Sequence, residues 1–258
     1  MPEQTLLNKV AIVTGSSSGI GASIAHELSS RGANTVINYP LASLRSEAES
    51  LAATLPSPSI AVESDLSQTH SPEILIAAAL QTWGRIDILI NCAGVAVNKP
   101  IEEQTLEDWD RIVNLNGRGT FLMTKAVLSH LPKMEEGGGG RIVNIASISA
   151  RGPPPNQTIY AGSKGMVDSF TKCWAKEFPP KYGCTVNSVS PGPTVTEGFA
   201  VAGEEQMKIL QPIIDQTPAG ARMAQPEEIA YAVAFLCEER ARWINGVHLV
   251  ASGGLFID

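Results

Sequence analysis

Three things are scarce in this chain, and each scarcity closes off a class of function. Cysteine is the first. Cys92, Cys173, Cys184 and Cys237 stand far apart, with no C-x-x-C pair and no histidine nearby. That spacing supports neither a disulfide framework nor a thiolate metal site, and it predicts buried free thiols in a reducing compartment. Histidine is the second: His26, His70, His130 and His248 are dispersed, so no metal is expected and they read as surface or helix-packing residues. Positive charge is the third. Lys and Arg number 19 against 26 Asp and Glu, a net charge of −7, and the basic residues are scattered. Neither a nucleic acid nor an anionic membrane is an expected partner.

Long apolar runs are missing as well. Nothing is long enough to span a bilayer, and "MPEQTLLNK" leads into the strand-like "VAIVTG" without a signal peptide, so a cytoplasmic protein is expected. What is present is ordinary for a globular protein: 43% hydrophobic and 17% charged residues in a chain of 258, enough for one large domain over 1–258.

Short β-rich runs alternate with helical spacing, the pattern of βαβ units and an α/β fold with a doubly wound parallel sheet. The expected strands, about seven, are Val10–Thr14, Thr35–Asn38, Ile60–Glu63, Ile86–Asn91, Arg141–Ala146, Cys184–Ser188 and Val247–Val250. Most lack alternation, as strands do when helices cover both faces. Ile20, Ile24 and Leu28, and then Leu44, Ala48, Leu51 and Leu55, recur at helical intervals. Longer helices are expected over about 106–131 and 159–178, the second stopped by Pro179 and Pro180. Another opens at "QPEEIA", with Pro226 in its first turn and Glu227 and Glu228 at the positive end of its dipole. "EEGGGGR" is a loop. Residues 191–225 have weak periodicity and read as a long, structureless excursion over an active site.

"VAIVTGSSSGIGASIAHEL" places a glycine-rich turn between a strand and a helix. Gly15 can turn the chain, Gly19 admits a phosphate close to the backbone, and Gly21 lets helix and strand pack. The N–H groups and dipole at the helix start then favour a pyrophosphate.

The spacing is T-G-x-x-x-G-x-G, and with it the sequence resembles the short-chain dehydrogenase/reductase family over essentially its whole length. Later motifs follow in order. "SDL" matches the segment whose aspartate contacts adenine, which implies that role for Asp65 beside Leu66. "NCAG" matches the segment beside the adenosine ribose, with Asn91, Ala93 and Gly94. "SPGPTVT" matches the turn that holds the nicotinamide carboxamide, with Pro191, Gly192, Thr194 and Thr196. The resemblance also assigns Ser17, Ser18 and Ile20 to the phosphate turn.

An acidic residue closing the second strand would bind the ribose 2′-hydroxyl and repel a 2′-phosphate. Here "GANTVINYPLAS" places Tyr39 at that position, and no carboxylate follows until Glu47. Asn38 or Ser43 could donate to a phosphate, and Arg45 is a further cation. Against this, the glycine turn holds no Arg or Lys. NADP(H) is expected over NAD(H), which is possible.

The resemblance further implies a catalytic set of Asn116, Ser147, Tyr160 and Lys164. Ser147 stands thirteen residues before Tyr160 in "NIASISARG", with Ser149 in a poorer register; "LNGRGTF" selects Asn116 over Asn114. Reducing a ketone needs a hydride at carbon and a proton at oxygen. A free tyrosine, with a pKa of about 10, is a poor base near neutrality, and Lys164 at i+4 on the same helix face is positioned to lower it. By the same resemblance Lys164 holds the nicotinamide ribose, Ser147 the substrate oxygen, and Asn116 a water that relays protons to Lys164.

One departure is "LVASGGLFID", where Ser252 replaces the family's usual aspartate. Pro153–Pro155, Val95, Ile148, Phe199 and Met207 suggest an apolar pocket without an evident cationic anchor. The expected substrate is therefore a hydrophobic ketone or secondary alcohol. "YAGSKG" and "INYP" look most like the branch of β-ketoacyl carrier-protein reductases and fungal hydroxynaphthalene reductases. Branch membership does not fix the substrate. A dehydratase, epimerase or cyclase on the same scaffold is the alternative. Family members pair through the two long helices and the C-terminal segment, which implies a homo-oligomer, tetramer or dimer.

Overall fold

Strand β1 (Val10–Val13) is buried along its whole length, and its neighbours explain why. Even-numbered side chains Val10 and Ile12 join Leu75, Met123, Val127 and Trp174 on one face of the sheet. Odd-numbered Ala11 and Val13 join Ile24, Leu28, Ile229 and Val233 on the other. Two helical layers therefore sandwich one sheet, and continuous apolar strands follow. The computed structural model describes residues 4–133, 135, 139–196 and 203–258.

The remaining strands are β2 (Asn34–Tyr39), β3 (Ser59–Glu63), β4 (Ile88–Asn91), β5 (Arg141–Ile145), β6 (Thr185–Pro191) and β7 (His248–Ala251). They lie all parallel in the order β3-β2-β1-β4-β5-β6-β7. The chain winds outward from β1 to β3 and then returns to place β4 against β1. That reversal opens a crevice beyond the strand ends, where doubly wound sheets bind ligands. Helices α1 (Gly19–Ser30) and α2 (Arg45–Thr54) follow the first two strands, and α3 (Ser71–Trp83) the third. Then come α4 (Leu106–Ile112), α5 (Thr120–Val127), α6 (Thr158–Glu177), α7 (Pro179–Tyr182), α8 (Gly203–Ile214) and α9 (Pro226–Cys237). Among the described residues no helix is long and apolar enough to cross a membrane.

Four aromatics line one face of the last helical turns of α6 and continue into α7. Phe170, Trp174, Phe178 and Tyr182 form a ladder along α6 and α7, with successive ring centroids 5.0, 5.8 and 6.3 Å apart. The spacing of four puts each ring over the next.

The structure departs from expectation in several places. The helix expected over 106–131 is three segments: α4 passes into a π-helical stretch, Val113–Gly119, before α5. The helix expected over 159–178 does end before Pro179, at Glu177; the prolines then open a short separate helix, α7, which ends at Gly183 with φ +60°. Residues 191–225 are not structureless, since α8 lies within them and Thr194 bridges Ala224. Cys173 is exposed rather than buried. His248 sits on β7 rather than on the surface or a helix, its side chain only 3% exposed and hydrogen-bonded to Asp168 at 2.9 Å. The segment at "QPEEIA" forms as read: Gln225 and Glu228 cap α9 reciprocally, with Pro226 in the first turn.

Candidate active site

A cleft of about 800 Å³ opens at the crevice between β1 and β4. Gly15, Ser18, Gly19, Ile20 and Gly21 line it from the first turn, Gly94 from the turn after β4, and Pro191, Gly192, Thr194 and Thr196 from the end of β6. Ser147, Tyr160 and Lys164 line the same space.

The glycine turn has no room for side chains. A Cβ on Gly21 would meet the Gly15 oxygen at 2.2 Å, and one on Gly15, which has φ +62°, would meet Ala93 Cα at 2.7 Å. A Cβ on Gly19 would fill the gap toward Thr196, 3.3 Å away. Ser18 precedes α1 in extended conformation, and its side chain does not cap the helix. The first N–H groups of α1 therefore have no side-chain partner there and suit an anion. A cradle of this shape and donor set fits a dinucleotide pyrophosphate.

Other residues assigned to the cofactor stand behind the cleft. Asn38 was a candidate phosphate donor, but its amide is spent within the fold. Its Oδ1 accepts from Gly15 N at 2.9 Å and its Nδ2 donates to Ser64 O at 2.9 Å, so it braces the glycine turn. Tyr39 is buried in the core. Asp65 accepts from Ser67 N and Ser67 Oγ at 2.9 and 2.8 Å, which hold its carboxyl below the ordinary value against the opposing effect of burial. Leu66 is buried, and its carbonyl packs where a Cβ on Gly119 would be. Asn91 Nδ2 donates to Asn144 Oδ1 and Thr124 Oγ1 at 2.8 and 2.9 Å, tying β4 to β5 and α5. Ala93 N donates to Thr14 Oγ1, and Ser17 is buried in the turn. Ser43 lies in the 3-10 turn before α2 and Arg45 opens α2, paired with Glu63 at 3.2 Å.

The π segment gives Asn116 its place. Its Oδ1 accepts from Val95 N and its Nδ2 donates to Val95 O, both at 2.9 Å, and Nδ2 also donates to Ser163 Oγ at 3.0 Å. Asn116 thus clamps the chain leaving β4 against α6. A Cβ on Gly94 would come within 3.2 Å of Asn116 Oδ1 and 3.4 Å of Lys164 Nζ.

Tyr160 and Lys164 occupy successive turns of α6, with Lys164 Nζ 6.0 Å from the Tyr160 ring centroid. The expected lowering of the phenol is absent. Burial raises Tyr160 above its ordinary value, opposed by a hydrogen bond with Ser147. Lys164 instead donates to Ile145 O at 2.7 Å, and burial pushes its ammonium down to about 8. Desolvation disfavours the charged form of both groups, so each moves toward neutrality. Ser147 Oγ also accepts from Ser149 N at 3.1 Å, which places Ser149 as support. Burial raises the Cys92 thiol, beside Lys164 in the same cleft, to about 11.

Of the apolar residues expected around the substrate, Val95 lines the cleft, while Ile148 and Pro153–Pro155 do not. Phe199 and the Met207 side chain lie outside the described residues. Arg111 and Asn98 line the cleft and had been passed over; the available signal was a cation five residues before Asn116. Ser252, in place of the family aspartate, ties its own turn: its hydroxyl donates to Phe256 O and accepts from Phe256 N, each at 3.1 Å.

Comparison with known proteins bears on this arrangement. The family model described as enoyl-(acyl carrier protein) reductase matches residues 15–256. Short-chain dehydrogenase/reductase FrzI from Cladobotryum sp is 39% identical over 98% of both chains. Hydroxynaphthalene reductase arp2 from Aspergillus fumigatus is 34% identical over 93% of this chain and 90% of its own. Among solved structures, a short chain dehydrogenase from Burkholderia cenocepacia in complex with NADP superposes with a TM-score of 0.87 and 30% identity, covering 97% of this chain and 99% of that one. The 3-ketoacyl-(acyl-carrier-protein) reductase from Brucella melitensis complexed with NADH does so at 0.88 and 34%, covering 98% and 100%.

Proposed function

The chain belongs to the short-chain dehydrogenase/reductase family, and on that premise we propose that it is an NADP(H)-dependent oxidoreductase acting on a hydrophobic ketone or secondary alcohol. The observation that carries this reading is the convergence of Ser147, Tyr160 and Lys164 on the cleft that the glycine turn also lines. NADPH, when bound, supplies the hydride. Gly15–Gly21 and the start of α1 hold its phosphates, Lys164 its nicotinamide ribose, and the 191–196 turn its carboxamide.

The chain's own contribution is to orient the carbonyl and deliver a proton. Ser147 donates a hydrogen bond to the substrate oxygen, and the Tyr160 phenol, kept protonated by burial, gives up its proton to that oxygen. Lys164 stabilises the phenolate left behind, because an ammonium near a phenol favours its charged form. Asn116 acts by position. Its amide, committed to Val95 and Ser163, fixes the backbone turn beside Lys164, and the water that returns protons toward Lys164 is anchored there.

The preference for NADP(H) is supported by the missing carboxylate at the end of β2 and by Arg45 nearby, while a neighbour that holds NADH keeps NAD(H) in view. Residues 191–225 form the substrate lid, in support of which Leu210 of α8 lines the cleft. Leu106 and Trp109 on α4 and Phe121 on α5 are exposed, which supports association of copies through the 106–131 segment. Light scattering tests that association.

The reaction is tested by following NADPH against a panel of aliphatic and aromatic ketones. One NADPH lost per alcohol formed supports the reductase. Conversion without net change in NADPH supports a dehydratase, epimerase or cyclase.

A further inference from the structure

Lys164 and Arg111 are the two cationic side chains that line the cleft, and among the described residues no Asp or Glu lines it. In a chain of net charge −7 that is a local reversal of sign. Arg111 is exposed at the end of α4 and, like Arg240 elsewhere on the surface, holds no carboxylate, whereas most of the arginines do. Arg31, Arg45, Arg85, Arg151 and Arg222 each hold a carboxylate within 4 Å. Arg111 holds none and makes no hydrogen bond among the described residues. The carboxylate of Asp108, one turn earlier on α4, is spent on Lys99 at 3.0 Å and on the N–H of Thr105.

The position of Arg111 follows from two contacts. Asp108 touches Lys99, and Asn116 clamps Val95, so the helical path from 108 to 116 runs beside the segment from 95 to 99. Arg111 lies between those contacts, and with Ala96 and Asn98 it lines the cleft from this side. The pyrophosphate cradle is built from a different part of the chain, the β1–α1 turn. Asn98 is exposed, and its amide likewise has no partner among the described residues. Exposed guanidinium and amide donors in a cleft lined by no carboxylate suit an oxyanion with several acceptor oxygens.

We infer that Arg111, seconded by Asn98, anchors an oxyanion carried by the ketone substrate, a carboxylate or phosphate remote from the reacting carbonyl. The inference rests on the reading of this cleft as a ketone site. It narrows the substrate class from a hydrophobic ketone to one with an apolar body and an anionic end. The same guanidinium would serve the dinucleotide's phosphates equally well in chemical terms, so the test separates the two sources.

Matched pairs of stable keto acids and their methyl esters are the probes: levulinate, benzoylpropionate and benzoylbutyrate, each against its ester. Calorimetric titration into the NADP⁺-loaded protein reads binding whether or not turnover follows. In the wild type at least one acid binds about ten-fold or more tighter than its ester, the range of a charge-assisted hydrogen bond. Arg111→Gln removes that advantage, Arg111→Lys restores part of it, and the NADPH dissociation constant, read from nucleotide fluorescence, stays within about two-fold. The inference is overturned if no acid is preferred by the wild type, or if Arg111→Gln leaves the preference intact. It is also overturned if Arg111→Gln weakens NADPH in step with the acids, which would assign the guanidinium to the dinucleotide. Preferred binding of an acid that is never reduced would leave the oxyanion site standing and count against the reductase.

Discussion

Lys164 reaches across from α6 to donate its ammonium to the main-chain oxygen of Ile145, 2.7 Å away at the end of β5. That bond and the burial around it give the residue a titration unlike that of a surface lysine. Below about pH 8 the ammonium is charged in the folded and unfolded chain alike, and the native state bears the desolvation cost. Between about 8 and the ordinary 10.5 the native group has lost its proton while the unfolded one retains it. The unfolded state then binds more protons, so this residue's contribution to stability rises with pH across that window. The buried thiols of Cys92, Cys184 and Cys237, raised to about 11, 11 and 12, act in the opposite direction and must be subtracted. Urea unfolding of wild type and Lys164→Met from pH 7.5 to 10 is expected to show the wild type gaining on the variant as pH rises, the range being set by roughly these pKa values. A constant difference would show Lys164 titrating normally.

Gly21→Ala should be costly in two ways. Its Cβ would fall 2.2 Å from the Gly15 oxygen, a backbone atom that cannot step aside without opening the turn. A loss of about 2 kcal/mol or more in the urea transition is expected, together with loss of NADPH fluorescence enhancement. Retention of both would show that the turn is not as tight as drawn.

Asn38→Leu tests whether that side chain serves the fold. It would leave Gly15 N and Ser64 O without their partner, at about 1–3 kcal/mol for a buried group so abandoned. Binding of NADPH and NADH should weaken by similar factors. A selective loss of NADPH would return Asn38 to the role of a phosphate donor.

Arg45→Ala should act in the reverse sense. The residue is exposed and shares its charge with Glu63, so stability should change little. NADPH binding should weaken by about three- to ten-fold while NADH is barely affected. Equal effects on both nucleotides would count against Arg45 as the 2′-phosphate cation.

Much of this was legible in the sequence because it depends on local spacing. Val10–Val13 without alternation, Ile24 and Leu28 one turn apart, and the glycine turn between them specify a strand, a cradle and a helix within twenty-odd residues. Tyr160 and Lys164 are likewise set by one helix. What escaped depends on partners distant in sequence. The π segment packs closely against distant residues: a Cβ on Gly117 would meet Met166 Sδ at 2.7 Å, and one on Gly119 the Leu66 oxygen at 2.7 Å. Asn38 is committed by an N–H twenty-three residues earlier. His248 is placed by Asp168, eighty residues away. Helix α8 was hidden by Pro212, which lies inside it and lowers any local helical expectation. Arg111 carries no local motif; its place beside the 95–99 segment follows from contacts of Asp108 and Asn116.

The central claim is that Tyr160 supplies the proton for carbonyl reduction in this cleft. Substitution Tyr160→Phe removes one oxygen and leaves the ring and the α6 packing in place. With a ketone that the wild type reduces, kcat/KM for NADPH-dependent reduction should fall by about a thousand-fold or more, while the NADPH dissociation constant stays within about two-fold. Reduction by the variant at a rate near that of the wild type would contradict the account.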